Sequence, residues 1–286
     1  MVLRYIRESQ RRSLAFKMSF IYAILVIGMV VVLMPFLWMV STSLKTPAAV
    51  FKIPTVWIPN PIVWANYPNA LTILPFGRFI LNTAQITALA VVGATLSGSL
   101  AAFAFARLRW RGRNFMFVLV LTTLMLPFQV IMIPQFILFR ELKWLDTYLP
   151  LVVPAFFGGS AFNIFLLRQY FMTISPELDD AAIIDGCSRF GVYWRIILPL
   201  SKAALMTVVI FIVQNRWQSF LVPLIYLFDQ KKYTLALGLR LFQDQYTVEW
   251  EMMMAAATVT MVPVLLVFYF GQRFFIQGVV FTGVKG

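Results

Sequence analysis

A chain of 286 residues that is 61% hydrophobic and 12% charged, with mean hydropathy +0.83, is built for lipid, since soluble domains carry about 25% charged residues. One cysteine, Cys187, excludes an internal disulfide, and the absence of histidine excludes imidazole metal sites and histidine-based catalysis. The net charge of +13 raises nucleic acid as a partner, but the basic residues sit at the ends of apolar runs, which reads as membrane topology and not as nucleic-acid binding.

Residues 1–17 hold Arg4, Arg7, Arg11, Arg12 and Lys17 ahead of an apolar run over 18–40. That run exceeds the ~7–15-residue core of a secretory signal and no small-x-small cleavage site follows it, so it predicts a first transmembrane helix with a cytoplasmic N-terminus. Residues 41–78, rich in proline and tryptophan, read as an exterior loop on the membrane surface. The second span, 79–106, is unusually small-sided at Gly93, Ala94, Ser97, Gly98, Ser99, Ala101 and Ala102. Such residues let helix backbones approach closely, which predicts an interior packing helix. Arg107, Arg109, Arg111 and Arg113 then read as a cytoplasmic topology signal in preference to a lipid or nucleotide site. A third span, 114–139, contains Pro127, Gln129 and Pro134, and a fourth covers 150–172. The fifth and sixth are expected over 203–228 and 252–275.

Six spans put both termini inside. Fifteen of the 24 Lys and Arg residues then fall in interior segments and eight in exterior ones, in agreement with the positive-inside rule. The same topology puts the long polar interval 175–199 in the cytoplasm. This interval is written like a helix: Ser175 to cap, Pro176 at the first helical position, Glu177, Asp179 and Asp180 at the positive end, and Gly186 to stop.

Asp180-Ala181-Ala182, three residues, Gly186, nine residues, Ile196, one residue, Leu198-Pro199 resembles the EAA loop of ATP-binding-cassette (ABC) importer permeases. Every spacing agrees; Asp180 replaces the glutamate. Arg168-Gln169-Tyr170-Phe171, Trp217-Gln218-Ser219-Phe220-Leu221-Val222-Pro223-Leu224 and Gln272-Arg273-Phe274-Phe275-Ile276-Gln277-Gly278 are similar to stretches of the carbohydrate branch, the maltose-type second permease. Gln218 stands where that branch usually has asparagine, and Arg216 is not a usual feature of it.

The resemblance implies an all-α integral membrane protein of the type I importer fold. Its five-helix core would cover 79–277, the first helix would wrap around that core, and 278–286 would form a cytoplasmic tail. It also implies a multi-pass protein of the bacterial or archaeal cytoplasmic membrane. The partners implied are a second permease in a heterodimer, two cytoplasmic ABC ATPase subunits that hold ATP and Mg, and an extracytoplasmic solute-binding protein. This chain itself would bind no cofactor and would not be an enzyme. The 175–199 loop would couple to the ATPase through Glu177, Leu178, Asp180, Ala181, Ala182, Ile184, Asp185, Gly186, Ile196, Leu198 and Pro199.

Polar residues within the spans are the candidates for the substrate path: Asn215, Arg216, Trp217 and Gln218, with Gln129 and Asn82 as further ones. Arginine in mid-membrane costs roughly 2.5–3.5 kcal/mol on insertion scales, so Arg216 should face a partner or a wet cavity. For Gln129 and Asn82 interhelical hydrogen bonding competes with a substrate role. A carbohydrate is the expected solute, with a sugar-phosphate or glycerol-3-phosphate as the alternative. A secondary transporter needs ionisable groups near the midplane, yet all eleven carboxylates fall in predicted loops.

Overall fold

The computed structural model describes residues 2–243 and 249–283, with side chains for 17–243 and 249–274. It is helical, with no β-strand among the described residues. Helices of eight residues or more are numbered here: α1 Val2–Ser43, α2 Asn66–Ile73, α3 Phe76–Arg107, α4 Arg113–Thr122, α5 Phe128–Glu141, α6 Ala161–Thr173, α7 Pro176–Ile184, α8 Lys202–Trp217 and α9 Trp250–Gly283.

Four stretches are long and apolar enough to cross a membrane: Lys17–Ser43, Phe76–Arg107, Leu149–Thr173 and Trp250–Phe274. Two helix pairs pass the same test only when taken together, Arg113–Met125 with Phe128–Glu141, bent by 100°, and Arg189–Leu200 with Lys202–Trp217, bent by 79°. The first bend is where the sequence expected one span with two tolerated prolines. Pro127 breaks the helix because the residue before a proline is pushed out of the α region, and Leu126 is extended at φ −83°, ψ 112°. Pro134 stays inside α5. The expected fifth span also ends early: α8 stops at Trp217 and a separate short helix, Leu221–Tyr226, follows.

The chain divides into two compact units, residues 1–73 with 242–259 and residues 74–241 with 260–286. In the first, the Trp-rich loop is tied down by side chains. Asn66 donates to the carbonyls of Ser43 and Lys45 at 2.9 and 2.8 Å, and the buried Lys45 ammonium lies 3.8 Å from the centre of the Trp38 ring.

The second unit is built on α3, which packs along α6 and α8. Ala90, Ala94 and Ala102 give it a flat face on which Ile164, Leu167, Phe171, Tyr193, Val208 and Ile212 close a core. Its polar residues are used inside the protein. Ser99 shares a 2.8 Å hydrogen bond with the buried Tyr193 hydroxyl, and Ser97 donates to Ala155 O and accepts from Gly158 N. Thr83 accepts from Leu235 N. At the far end of α3 the Asp146 carboxylate accepts from Phe228 N, Asp229 N and Lys232 Nζ. These bonds hold its pKa down to about 2, the Asp229 amide contributing most. This clamp therefore contributes fully above the ordinary carboxylate value of ~3.9 and is lost as pH falls through about 2.

The close packing of α3 gives a direct test. Gly159 has φ +65°, and a Cβ there meets Ala94 Cβ at 2.6 Å and its Cα at 3.0 Å. A left-handed residue with a side chain costs roughly 1–2 kcal/mol and overpacking roughly 1–3 more. Gly159→Ala should therefore destabilise the purified protein by about 2–5 kcal/mol in a denaturation series, whereas Gly77→Ala, where a Cβ meets nothing within 4 Å, should be near neutral.

Candidate functional site

The 175–199 segment folds as its caps dictate. Ser175 Oγ accepts from Glu177 N at 3.3 Å and Pro176 opens α7. Asp185 caps the C-terminus, and Gly186, at φ +84°, turns the chain so that Cys187 N reaches Ala182 O at 2.8 Å. A new cap follows at once, with Ser188 Oγ accepting from Gly191 N at 3.1 Å. A short helix, Arg189–Val192, runs into one π turn, Tyr193–Ile197, and then Leu198–Leu200.

Helical periodicity sorts the predicted coupling residues onto two faces. Leu178 and Ile184, expected as apolar contacts, are exposed, Ile184 by 85%. Glu177, Asp180, Ala181, Asp185, Gly186 and Pro199 are exposed with them. Ala182 is half-buried and packs on the core cluster, as does Leu198, and Ile196 is half-buried. The alanine pair is therefore split: Ala181 lies on the open face, while Ala182 seats the helix on the protein.

The residue that sets this orientation was not among the candidates. Asp179 is 5% exposed and lies 3.6 Å from Arg107 at the end of α3. Arg107 also donates to the carbonyls of Phe171 and Ile174, at 2.8 and 2.7 Å, closing the last turn of α6. Burial pushes the Asp179 carboxyl up, while Arg107 and Arg189 pull it back. Arg107 was read as a topology signal, yet it joins α3, α6 and α7. Arg113 likewise donates to Leu108 O. The spacing of Asp179, Ala182 and Ile183 is the signal that finds the inner face, because residues three and four apart share one side of a helix.

The second constellation is an open cavity of about 650 Å³ beside the end of α8. Asn215, Arg216 and Gln218 line it, together with Ser160, Asn163 and Gln214. The other three path candidates lie elsewhere. Trp217 donates its indole N–H to Thr260 O at 3.0 Å and is not on the cavity wall. Asn82 spends both amide hydrogens on Lys231 O and Tyr233 O, at 3.0 and 2.9 Å, and borders a separate opening. Gln129 is exposed just beyond the Pro127 break. No cluster of three metal-ligating side chains occurs among the described residues.

Residues 94–280 match the family described as "Binding-protein-dependent transport system inner membrane component". The chain is 38% identical over 205 residues to the arabinooligosaccharides transport system permease protein AraQ of Halalkalibacterium halodurans, covering 72% of this chain and 73% of that one. Over 254 residues it is 30% identical to the sulfoquinovosyl glycerol transport system permease protein SmoH of Agrobacterium fabrum, covering 89% of each. A chain in the crystal structure of a bacterial ABC transporter involved in the import of the acidic polysaccharide alginate superposes with a TM-score of 0.79 at 26% identity, covering 88% of this chain and 94% of that one.

Breaking one side of a buried ion pair costs roughly 3–5 kcal/mol because the other charge stays buried and unpaired. Arg107→Met should cost that much in a denaturation series, and Arg107→Met with Asp179→Leu should recover a large part of it. Equal losses in the single and double variants count against the pair.

Proposed function

This chain belongs to the binding-protein-dependent transport system inner membrane component family, and on that premise we propose that it is the transmembrane permease subunit of a carbohydrate importer whose ATPase is a separate subunit. The solute class follows the similar proteins, whose names give arabinooligosaccharides, sulfoquinovosyl glycerol and alginate. As a membrane component of a transport family with several apolar helices, the chain is a multi-pass membrane protein. The finer assignment counts each bent pair as one span. This gives six crossings, both termini in the cytoplasm of a bacterium or archaeon, and a permease core over 79–277 followed by the tail 278–286.

The observation that carries the reading is α7. It is a capped surface helix that shows Leu178, Ala181, Ile184 and three acids outward, while Asp179 and Ala182 hold its inner face to the second unit. A groove on an ATPase with a basic rim fits that face, and a short rigid helix held at its base moves with the part it is seated on. ATP binding and hydrolysis occur on two such ATPase subunits. A second permease completes the path, and an extracytoplasmic binding protein delivers the solute.

The test is transport by the reconstituted complex. Uptake should require ATP and the ATPase subunits, and an ion gradient alone should not drive it. Ile184→Glu alters only the outward face, and Gly186→Pro forces φ from +84° toward about −65°. Each should lower ATP-driven uptake at least tenfold while the purified chain stays helical. Uptake at the unsubstituted rate in both variants, or uptake driven by a proton gradient without ATP, removes this assignment.

A further inference from the structure

The walls of the 650 Å³ cavity are unequal in charge. Ser160, Asn163, Gln214, Asn215 and Gln218 supply neutral donors and acceptors, and Phe162 and Phe211, edge to face at 5.7 Å, supply an apolar side. This is the mixture that binds a sugar, with amides for hydroxyls and rings for C–H faces, in a volume normal for small-molecule sites. Among the described residues Arg216 is the only charged one on the wall, and no Asp or Glu of them lines it. None of the ion pairs among the described residues includes Arg216.

Two local features keep a guanidinium in place there without a carboxylate. Arg216 lies in the last turn of α8, where the helix dipole favours a cation. It also borders a crevice of about 10 Å³ whose wall mixes Thr83, Ser219 and Thr234 with Ile86, Leu151 and Pro223, so Arg216 lies between that crevice and the cavity. An arginine of this kind offers a planar fork that matches a carboxylate or phosphate with two parallel hydrogen bonds.

We propose that this cavity is an acid-selecting subsite, in which Arg216 pairs with the carboxylate or phosphate of an anionic carbohydrate while the surrounding amides take its hydroxyls. The inference rests on the importer reading and narrows it: the subsite discriminates against the neutral sugar of the same shape. That sugar offers the half-buried Arg216 no anion to pair with, and a site built around a charged group discriminates against the analogue that lacks its partner.

The experiment uses the full complex in proteoliposomes with two matched pairs of probes, digalacturonate against galactobiose and glycerol-3-phosphate against glycerol. ATP-driven uptake of an acidic probe should exceed that of its neutral partner. Arg216→Gln should lower uptake of the acidic probe at least tenfold at subsaturating concentration and should not lower that of the neutral one. Arg216→Lys should keep most of the discrimination. Gln214→Glu, which sets a carboxylate on the same wall without touching Arg216, should reproduce the Arg216→Gln pattern and guards against a folding defect in the first variant. Co-purification of the subunits reports assembly of each variant. Preference for the neutral probe, equal loss of both probes, or no loss in Arg216→Gln and Gln214→Glu overturns the subsite. If the unsubstituted complex takes up saccharide only with ATP but the variants show no acid-specific change, the subsite alone fails. If it takes up none of the four probes with ATP, the subsite and the importer reading fail together.

Discussion

One guanidinium joins three helices of the second unit. Arg107 closes α3, satisfies two carbonyls at the end of α6 and faces the carboxylate of Asp179 on α7. The last carbonyls of a helix have no partner within it and carry the negative end of its dipole, so a cation is the fitting group to meet them. Desolvating both charges costs several kcal/mol, and that cost is offset only while every partner stays in place. The pair is therefore better understood as an orientation device than as a source of stability. It decides which side of α7 looks outward, and so leaves Leu178, Ala181 and Ile184 on the open face.

Above that joint, the second unit depends on how closely backbones approach α3. Glycine and alanine at 90, 93, 94 and 98 remove side-chain bulk on one face, and Phe156, Gly158 and Gly159 sit against it. Ser97, Ser99 and Thr83 on the same helix then bond across to neighbours, which ties α3 to the segments packed on it. Asn82 belongs with them, since both of its amide hydrogens go to backbone carbonyls. A cavity lined by polar groups opens near the end of α8, where the helix stops at Trp217.

Much of this was legible in the residues because it is local. Ser175, Pro176 and Gly186 act on their own backbone, so their effect needs no partner and α7 begins and ends where they place it. Apolar runs read as spans for the same reason. The two prolines of the 114–139 run show where such reading stops. They are alike in sequence, yet the chain breaks at Pro127 and continues through Pro134. Trp217 is a second case: it stands in sequence beside Asn215, Arg216 and Gln218, but its indole N–H bonds to Thr260 O and it is not on the wall of the cavity they line.

The sequence by itself determined the solvent, the approximate spans, the family resemblance and the capped polar helix, because hydropathy and capping depend on neighbours along the chain. The tertiary structure decided that Arg107 meets Asp179, that Ala182 turns inward while Ala181 turns out, and that Arg216 faces a cavity lined by no carboxylate among the described residues. Those facts depend on distant segments brought within a few ångströms, and spacing along one chain carries no record of distances across it.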